Sequence, residues 1–173
     1  MKLLCAAAFA LGLTACASAS VEQYRAETPV LDLKTYLNGT LDAWGMFQGR
    51  SGEVKKRFRV VIDARWDGDT GVLDERFTWS DGTTSTRIWT LKRQPDGSFR
   101  GRADDVIGEA VGEVAGNALR WRYVLALPVD DKIYHVDFDD WMFLMDDKVM
   151  FNRSFMSKWG FRLGEVTLTF VKR

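Results

Sequence analysis

In 173 residues the chain carries 24 basic and 24 acidic side chains, so it lacks the basic excess that a nucleic-acid partner selects. A composition of 46% hydrophobic and 28% charged residues fits one packed globular domain and excludes a disordered tail. Both cysteines, Cys5 and Cys16, fall near the start, so the rest of the chain has no disulfide, thiolate nucleophile or cysteine metal site.

Lys2 precedes an uncharged apolar run, Leu3 to Leu13, which Leu13-Thr14-Ala15-Cys16 closes. A basic start, a short apolar stretch and small residues before a cut describe a secretory signal peptide. The run falls short of the roughly 20 apolar residues that a spanning helix needs. Leu-Thr-Ala-Cys resembles the bacterial lipobox, which implies cleavage before Cys16 and acylation of that cysteine. The expected layout is a signal peptide at 1–15, lipidated Cys16 with a polar tether to residue 30, and a domain at 31–173. Cleavage removes only Lys2 among the charges, leaving 23 basic against 24 acidic residues. Several acyl chains on one cysteine give firm membrane attachment, where a single chain is marginal. Ala17 follows the cysteine in place of a retaining aspartate, which implies the periplasmic face of the outer membrane.

Leu31 to Leu37 reads as one short helix. After Asn38-Gly39, apolar and polar stretches alternate between Asp67-Gly68, Ser80-Asp81-Gly82, Pro95-Asp96-Gly97, Gly116-Asn117, Asp130-Asp131, Asp146-Asp147 and Trp159-Gly160. Turn signals this close together, with no long helical period between them, predict an all-β antiparallel meander of eight to ten strands. Closure into a lipocalin- or calycin-like barrel removes the exposed edges of so long a meander.

Three turns allow registers to be written. A three-residue Ser80-Asp81-Gly82 loop pairs Trp79 with Thr83 and sets Glu75 opposite Arg87, between Leu73/Trp89 and Phe77/Ser85, whereas a two-residue Asp81-Gly82 loop would separate the two. That face is apolar, so Glu75 and Arg87 are expected as an ion pair inside the barrel. A two-residue Gly116-Asn117 loop pairs Ala115 with Ala118, Val114 with Leu119, Gly112 with Trp121, Ala110 with Tyr123 and Gly108 with Leu125. Small residues then face large ones inside, while Glu113 meets Arg120 and Glu109 meets Val124 on the other face. A two-residue Asp146-Asp147 loop sets Phe138 opposite Phe155, Asp140 opposite Arg153 and Met142 opposite Phe151. The alternate face, with Trp141, Phe143 and Met150, is equally apolar, so the pattern leaves its direction open.

His135 is the lone histidine and cannot build a multi-histidine zinc site; it reads as a surface or strand-end residue. Asp137, Asp139 and Asp140, like Asp104 and Asp105, lack the spacing of a calcium loop and read as structural or solvated. No Gly-x-Ser-x-Gly elbow occurs, and neither a catalytic residue, a metal nor a cofactor is expected. The candidate ligand-binding residues are Arg87, Glu75, Trp89, Arg153, Asp140 and Trp121. Aromatics supply an apolar cavity, and Arg87 or Arg153 could neutralise a carboxylate or phosphate headgroup.

Several segments together resemble the bacterial lipoproteins grouped as domain of unknown function 3833. They are Tyr36-Leu37-Asn38-Gly39, Trp44-Gly45-Met46-Phe47, Phe77-Thr78-Trp79-Ser80-Asp81-Gly82, Arg87-Ile88-Trp89, Gly108-Glu109-Ala110-Val111-Gly112, Gly116-Asn117-Ala118, Asp139-Asp140-Trp141-Met142, Lys158-Trp159-Gly160 and Gly164-Glu165-Val166-Thr167. The resemblance implies a lipocalin-like fold and supplies no catalytic residue. It also implies frequent proximity to genes for fatty-acid modification.

Three functions remain open at this point. The first is a membrane-anchored barrel that binds a fatty acid or phospholipid. The second is an envelope structural or assembly protein acting through exposed aromatics among Trp141, Phe143 and Trp159. The third is a lipid-modifying enzyme with Glu75 or an Asp139/Asp140 carboxyl as acid or base.

Overall fold

The computed structural model describes residues 19–173; the expected signal segment and Cys16 lie outside the described residues. Ten strands follow one another: β1 (Gly39–Gly49), β2 (Val54–Asp67), β3 (Thr70–Trp79), β4 (Thr84–Arg93), β5 (Phe99–Arg102), β6 (Val106–Ala115), β7 (Ala118–Val129), β8 (Lys132–Leu144), β9 (Val149–Lys158) and β10 (Phe161–Lys172). Each pairs antiparallel with its neighbours, and β1 also pairs with β10, so the sheet is a closed barrel without a free edge. The expected all-β meander barrel with a short N-terminal helix is therefore the fold.

Alternation along the strands turns one apolar set inward. Leu41, Val60, Ile62, Val136 and Met150 are at most 2% exposed. Trp121 fills the interior because two glycines make room for it. A Cβ on Gly112 would lie 2.3 Å from its indole, and one on Gly101 would lie 2.4 Å away.

One end of the barrel is stoppered. Asp32 caps helix α1 (Leu33–Tyr36) by accepting from the Lys34 and Thr35 amides, which sets the helix across that end. The Tyr36 hydroxyl donates to the Lys148 carbonyl at 3.0 Å, and the Trp66 indole donates to the Leu37 carbonyl at 2.6 Å. Leu33 and Tyr36 of the helix, and Leu37 at its C-terminal end, are buried. The opposite end, formed by the β1–β2, β3–β4, β5–β6, β7–β8 and β9–β10 turns, has no such stopper among the described residues.

A second, smaller apolar cluster lies outside the wall. The 3-10 turn Val21–Tyr24 lays Val21 over Ala115, Ala118 and Trp141. Tyr24 meets Phe143 edge-on at 5.0 Å and Trp141 at 5.9 Å. The Leu31 amide then donates to the Gly116 carbonyl at 2.8 Å. Gly116, at φ +54°, tolerates this approach only without a side chain, since a Cβ there would fall 1.7 Å from the Tyr24 carbonyl oxygen. Residues 21–30, expected as tether in the sequence, are thus docked on the barrel. This contact also settles the direction of β8: Trp141 and Phe143 face out under Tyr24.

The β3–β4 register is the expected one, with Glu75 opposite Arg87 and Leu73 opposite Trp89. Between β6 and β7 the expected pairs hold from Ala115–Ala118 to Gly112–Trp121 and then shift. A bulge between Ile107 and Val111 carries Gly108 at φ +72°, so Val106, not Gly108, lies opposite Leu125, and Ile107, not Glu109, opposite Val124. Glu113 does stand opposite Arg120, but the ion pairs run diagonally: Arg120 bonds Asp139, and Arg122 bonds Glu113.

The β8–β9 register differs by one residue. Asp146 accepts from the amides of both Lys148 and Val149, which widens the turn beyond the expected two residues. Asp140 consequently lies opposite Ser154, Phe138 opposite Met156 and Met142 opposite Asn152. Arg153 is turned outward.

Candidate functional site

The barrel encloses a cavity of about 770 Å³. Its deep wall is apolar, with Leu37, Leu91, Leu119 and Phe170 near the stoppered end. Trp89 and Trp121, both buried, meet edge-to-face at 5.8 Å, and Trp89 meets Tyr123 in the same way at 5.5 Å. Toward the open end, Phe77 stacks on Trp79 at 5.5 Å, and Phe58 packs against Trp79 at 5.2 Å. Lys56 lies over the Trp79 ring at 4.7 Å and bonds Asp81 at 2.9 Å, so it sits at the mouth with its charge already met.

Between these apolar zones runs a belt of ionisable and hydroxyl groups. Arg87, placed inside by the β3–β4 register, sends Nε to Asp105 Oδ1 at 3.1 Å and Nη2 to Oδ2 at 2.6 Å. Asp105 belongs to the turn before β6, and the Ala126 amide fixes it by donating to its carbonyl at 2.8 Å. The expected Glu75–Arg87 ion pair is therefore not made, because Asp105 occupies the guanidinium with the better bidentate geometry. Glu75 keeps its place opposite Arg87 and faces the cavity. Its carboxyl has no hydrogen-bond or ion-pair partner among the described residues. Burial pushes that carboxyl up to about 7, against the pull of Arg87.

The other half of the belt lies on β7, β8 and β9. Asp140 is 7% exposed and accepts at Oδ1 from the Ser154 hydroxyl and at Oδ2 from the Tyr123 hydroxyl at 3.4 Å. Burial raises its carboxyl to about 7 as well, more than those two bonds lower it. Tyr123 stacks on Phe138 at 5.0 Å, and burial drives its hydroxyl well above the usual tyrosine range, so it remains a donor. Two carboxyls that titrate near neutrality in an apolar cavity can give or take a proton at one pH.

Of the six candidate ligand residues, Glu75, Arg87, Trp89, Trp121 and Asp140 line this one cavity. Arg153 does not: it bonds Glu165 at 2.8 Å on the outer surface and lies over Phe155. The single-residue change in the β8–β9 register puts it there and brings Asn152 and Ser154 inside instead. Asp105, Tyr123 and Ser154 are the belt members not among the ligand candidates from sequence, Asp105 having been read as structural or solvated. The Ala110–Tyr123 pairing already pointed Tyr123 inward, whereas Asp105 sits in a turn whose approach to Arg87 no local pattern encodes. His135 is exposed on β8, as expected. Among the described residues no three His, Cys, Asp or Glu side chains form a metal-binding cluster.

The fold has a solved counterpart. An S-type phycobiliprotein lyase, CPES from Guillardia theta, superposes with a TM-score of 0.62 at 9% identity, over 90% of this chain and 98% of that one. A de novo designed fluorescence-activating β-barrel gives a TM-score of 0.45 at 13% identity, over 83% of this chain and 99% of that one. No curated protein matches in sequence. A family model described as protein of unknown function (DUF3833) matches residues 10–172, and the chain belongs to that family.

Proposed function

We propose that this is a lipid-anchored envelope protein whose barrel holds one elongated apolar ligand of the acyl-chain class. The observation that carries this is the cavity itself, about 770 Å³ of largely apolar wall crossed by one polar belt. That size falls within the roughly 300–1,000 Å³ of small-molecule sites, and the few polar groups are placed to orient one end of a ligand. The calycin-like fold shared with a phycobiliprotein lyase supports a small-molecule ligand by fold-level analogy alone. Attachment through acylated Cys16, facing the periplasm from the outer membrane, rests on the lipobox resemblance and on Ala17.

Two experiments test the two halves. Titration with N-phenyl-1-naphthylamine, a neutral apolar fluorophore, should saturate at one site per chain; an unsaturable or absent signal overturns the binding half. Replacing Cys16→Ser should move the protein from the membrane pellet to the soluble fraction, and an unchanged pellet overturns the anchor.

A second reading, that the outer surface docks a partner protein, is supported by one group of exposed side chains. Trp159 is 84% exposed, Phe161 69% and Ile133 70%, on neighbouring hairpin turns at the open end. Trp141 and Phe143 do not contribute, since Tyr24 covers them.

A further inference from the structure

We infer that the polar end of the ligand is a hydrogen-bond donor, a hydroxyl or an ammonium group, and not a carboxylate or phosphate. The inference rests on the apolar-ligand reading above and assigns the chemistry of the belt.

The groups facing the cavity decide it. Two are cationic. Arg87 is bound in bidentate fashion by Asp105. Lys56 stands at the mouth, bonded to Asp81. Three are acidic: Asp105, Glu75 and Asp140. After the Arg87–Asp105 pair cancels, no free cation remains among the described cavity residues, and two carboxyls do.

The hydrogen bonds made deep in the cavity point the same way. Tyr123 and Ser154 both spend their hydroxyl protons on Asp140. Arg87 Nη1 is a donor with no partner among the described residues, but the charge behind it is already met. Once ionised, Glu75 offers two acceptor oxygens that no donor among the described residues meets. Glu75 is partly buried, and its ionised carboxylate is stabilised by an incoming donor and repels an incoming anion. An anionic headgroup would shed its hydration beside Glu75 and Asp140 with no unpaired positive charge to receive it. The distribution therefore reverses the sequence-based expectation that Arg87 anchors a carboxylate or phosphate.

A matched ligand series tests this. The full chain carrying Cys16→Ser is titrated calorimetrically with dodecylamine, 1-dodecanol and dodecanoate at pH 8, where Glu75 and Asp140, both near 7, are largely ionised. Dodecylamine should bind about tenfold or more tighter than dodecanoate, with dodecanol between them, because one charge reverses sign a few ångströms from the carboxyls. Glu75→Gln, which keeps the shape, should shrink the amine–carboxylate difference by removing one of the two unpaired negative charges. Dodecanoate as the tightest of the three overturns the inference while leaving the apolar-ligand reading intact. Uptake of none of the three, together with no saturable naphthylamine signal, overturns both. An amine preference that Glu75→Gln and Asp140→Asn each leave unchanged also overturns the assignment to this belt.

Discussion

Arg87 holds Asp105 through Nε at 3.1 Å and Nη2 at 2.6 Å, although Glu75 is its direct neighbour across the β3–β4 ladder. The pair leaves Glu75 as the unmet acid of the cavity, so Asp105 controls the charge that a ligand encounters.

Replacing Asp105→Asn should free the guanidinium to turn toward Glu75. The Glu75 carboxyl, raised to about 7 by burial, should then titrate at least about one unit lower, as carboxylates beside an arginine do. Carbon-13 NMR of the side-chain carboxyls measures this directly. An unchanged Glu75 titration would show that Arg87 does not set it.

Stability should fall as pH rises from about 4.5 to 7. Over that interval an unfolded chain loses the Glu75 and Asp140 protons while the native barrel still holds them, since both carboxyls are raised to about 7. Protons bound to the native state alone stabilise it, and that advantage is gone above the folded-state values. Glu75→Gln should thus raise the melting temperature at pH 8, by an amount corresponding to about 1–3 kcal/mol, and change it little near pH 4. A variant less stable than the wild type at pH 8 contradicts the burial of an unmet acid.

Trp121 should tolerate no added methyl beneath it. Gly112→Ala places a Cβ 2.3 Å from the indole in the unrelaxed barrel and should cost about 1–3 kcal/mol in urea denaturation. Combining it with Trp121→Phe should recover part of that loss, because contacting sites are not additive. Full additivity would mean that the glycine serves something other than the tryptophan.

Arg153→Ala should leave ligand affinity unaltered and stability within about 0.5 kcal/mol, since the side chain is exposed and bonded to Glu165 on the outer wall. A clear loss of ligand affinity would place Arg153 inside and return the β8–β9 register to the expected one.

The residues show why part of the site was legible in sequence and part was not. Ser80-Asp81-Gly82 allowed a two- or a three-residue loop, and the glycine at φ +84° closes the three-residue one, which gives the Glu75–Arg87 register. Gly116 did the same for the pairs down to Gly112–Trp121. The bulge at Gly108 adds residues to one strand without a local sign of how many, and the register is lost beyond it. At Asp146-Asp147 no glycine marks the loop, and the Asp146 side chain widens it by accepting two amides. One residue of slip exchanges every side chain between faces, which put Arg153 where Ser154 belongs. The Arg87–Asp105 bond depends on barrel closure, and closure is a property of all ten strands together.

Native mass spectrometry of the protein purified from its own cells tests the cavity claim most directly. One bound molecule per chain, a few hundred daltons in mass, apolar and released on unfolding, is the expected result. A barrel that emerges empty and takes up neither dodecanol nor naphthylamine would contradict it.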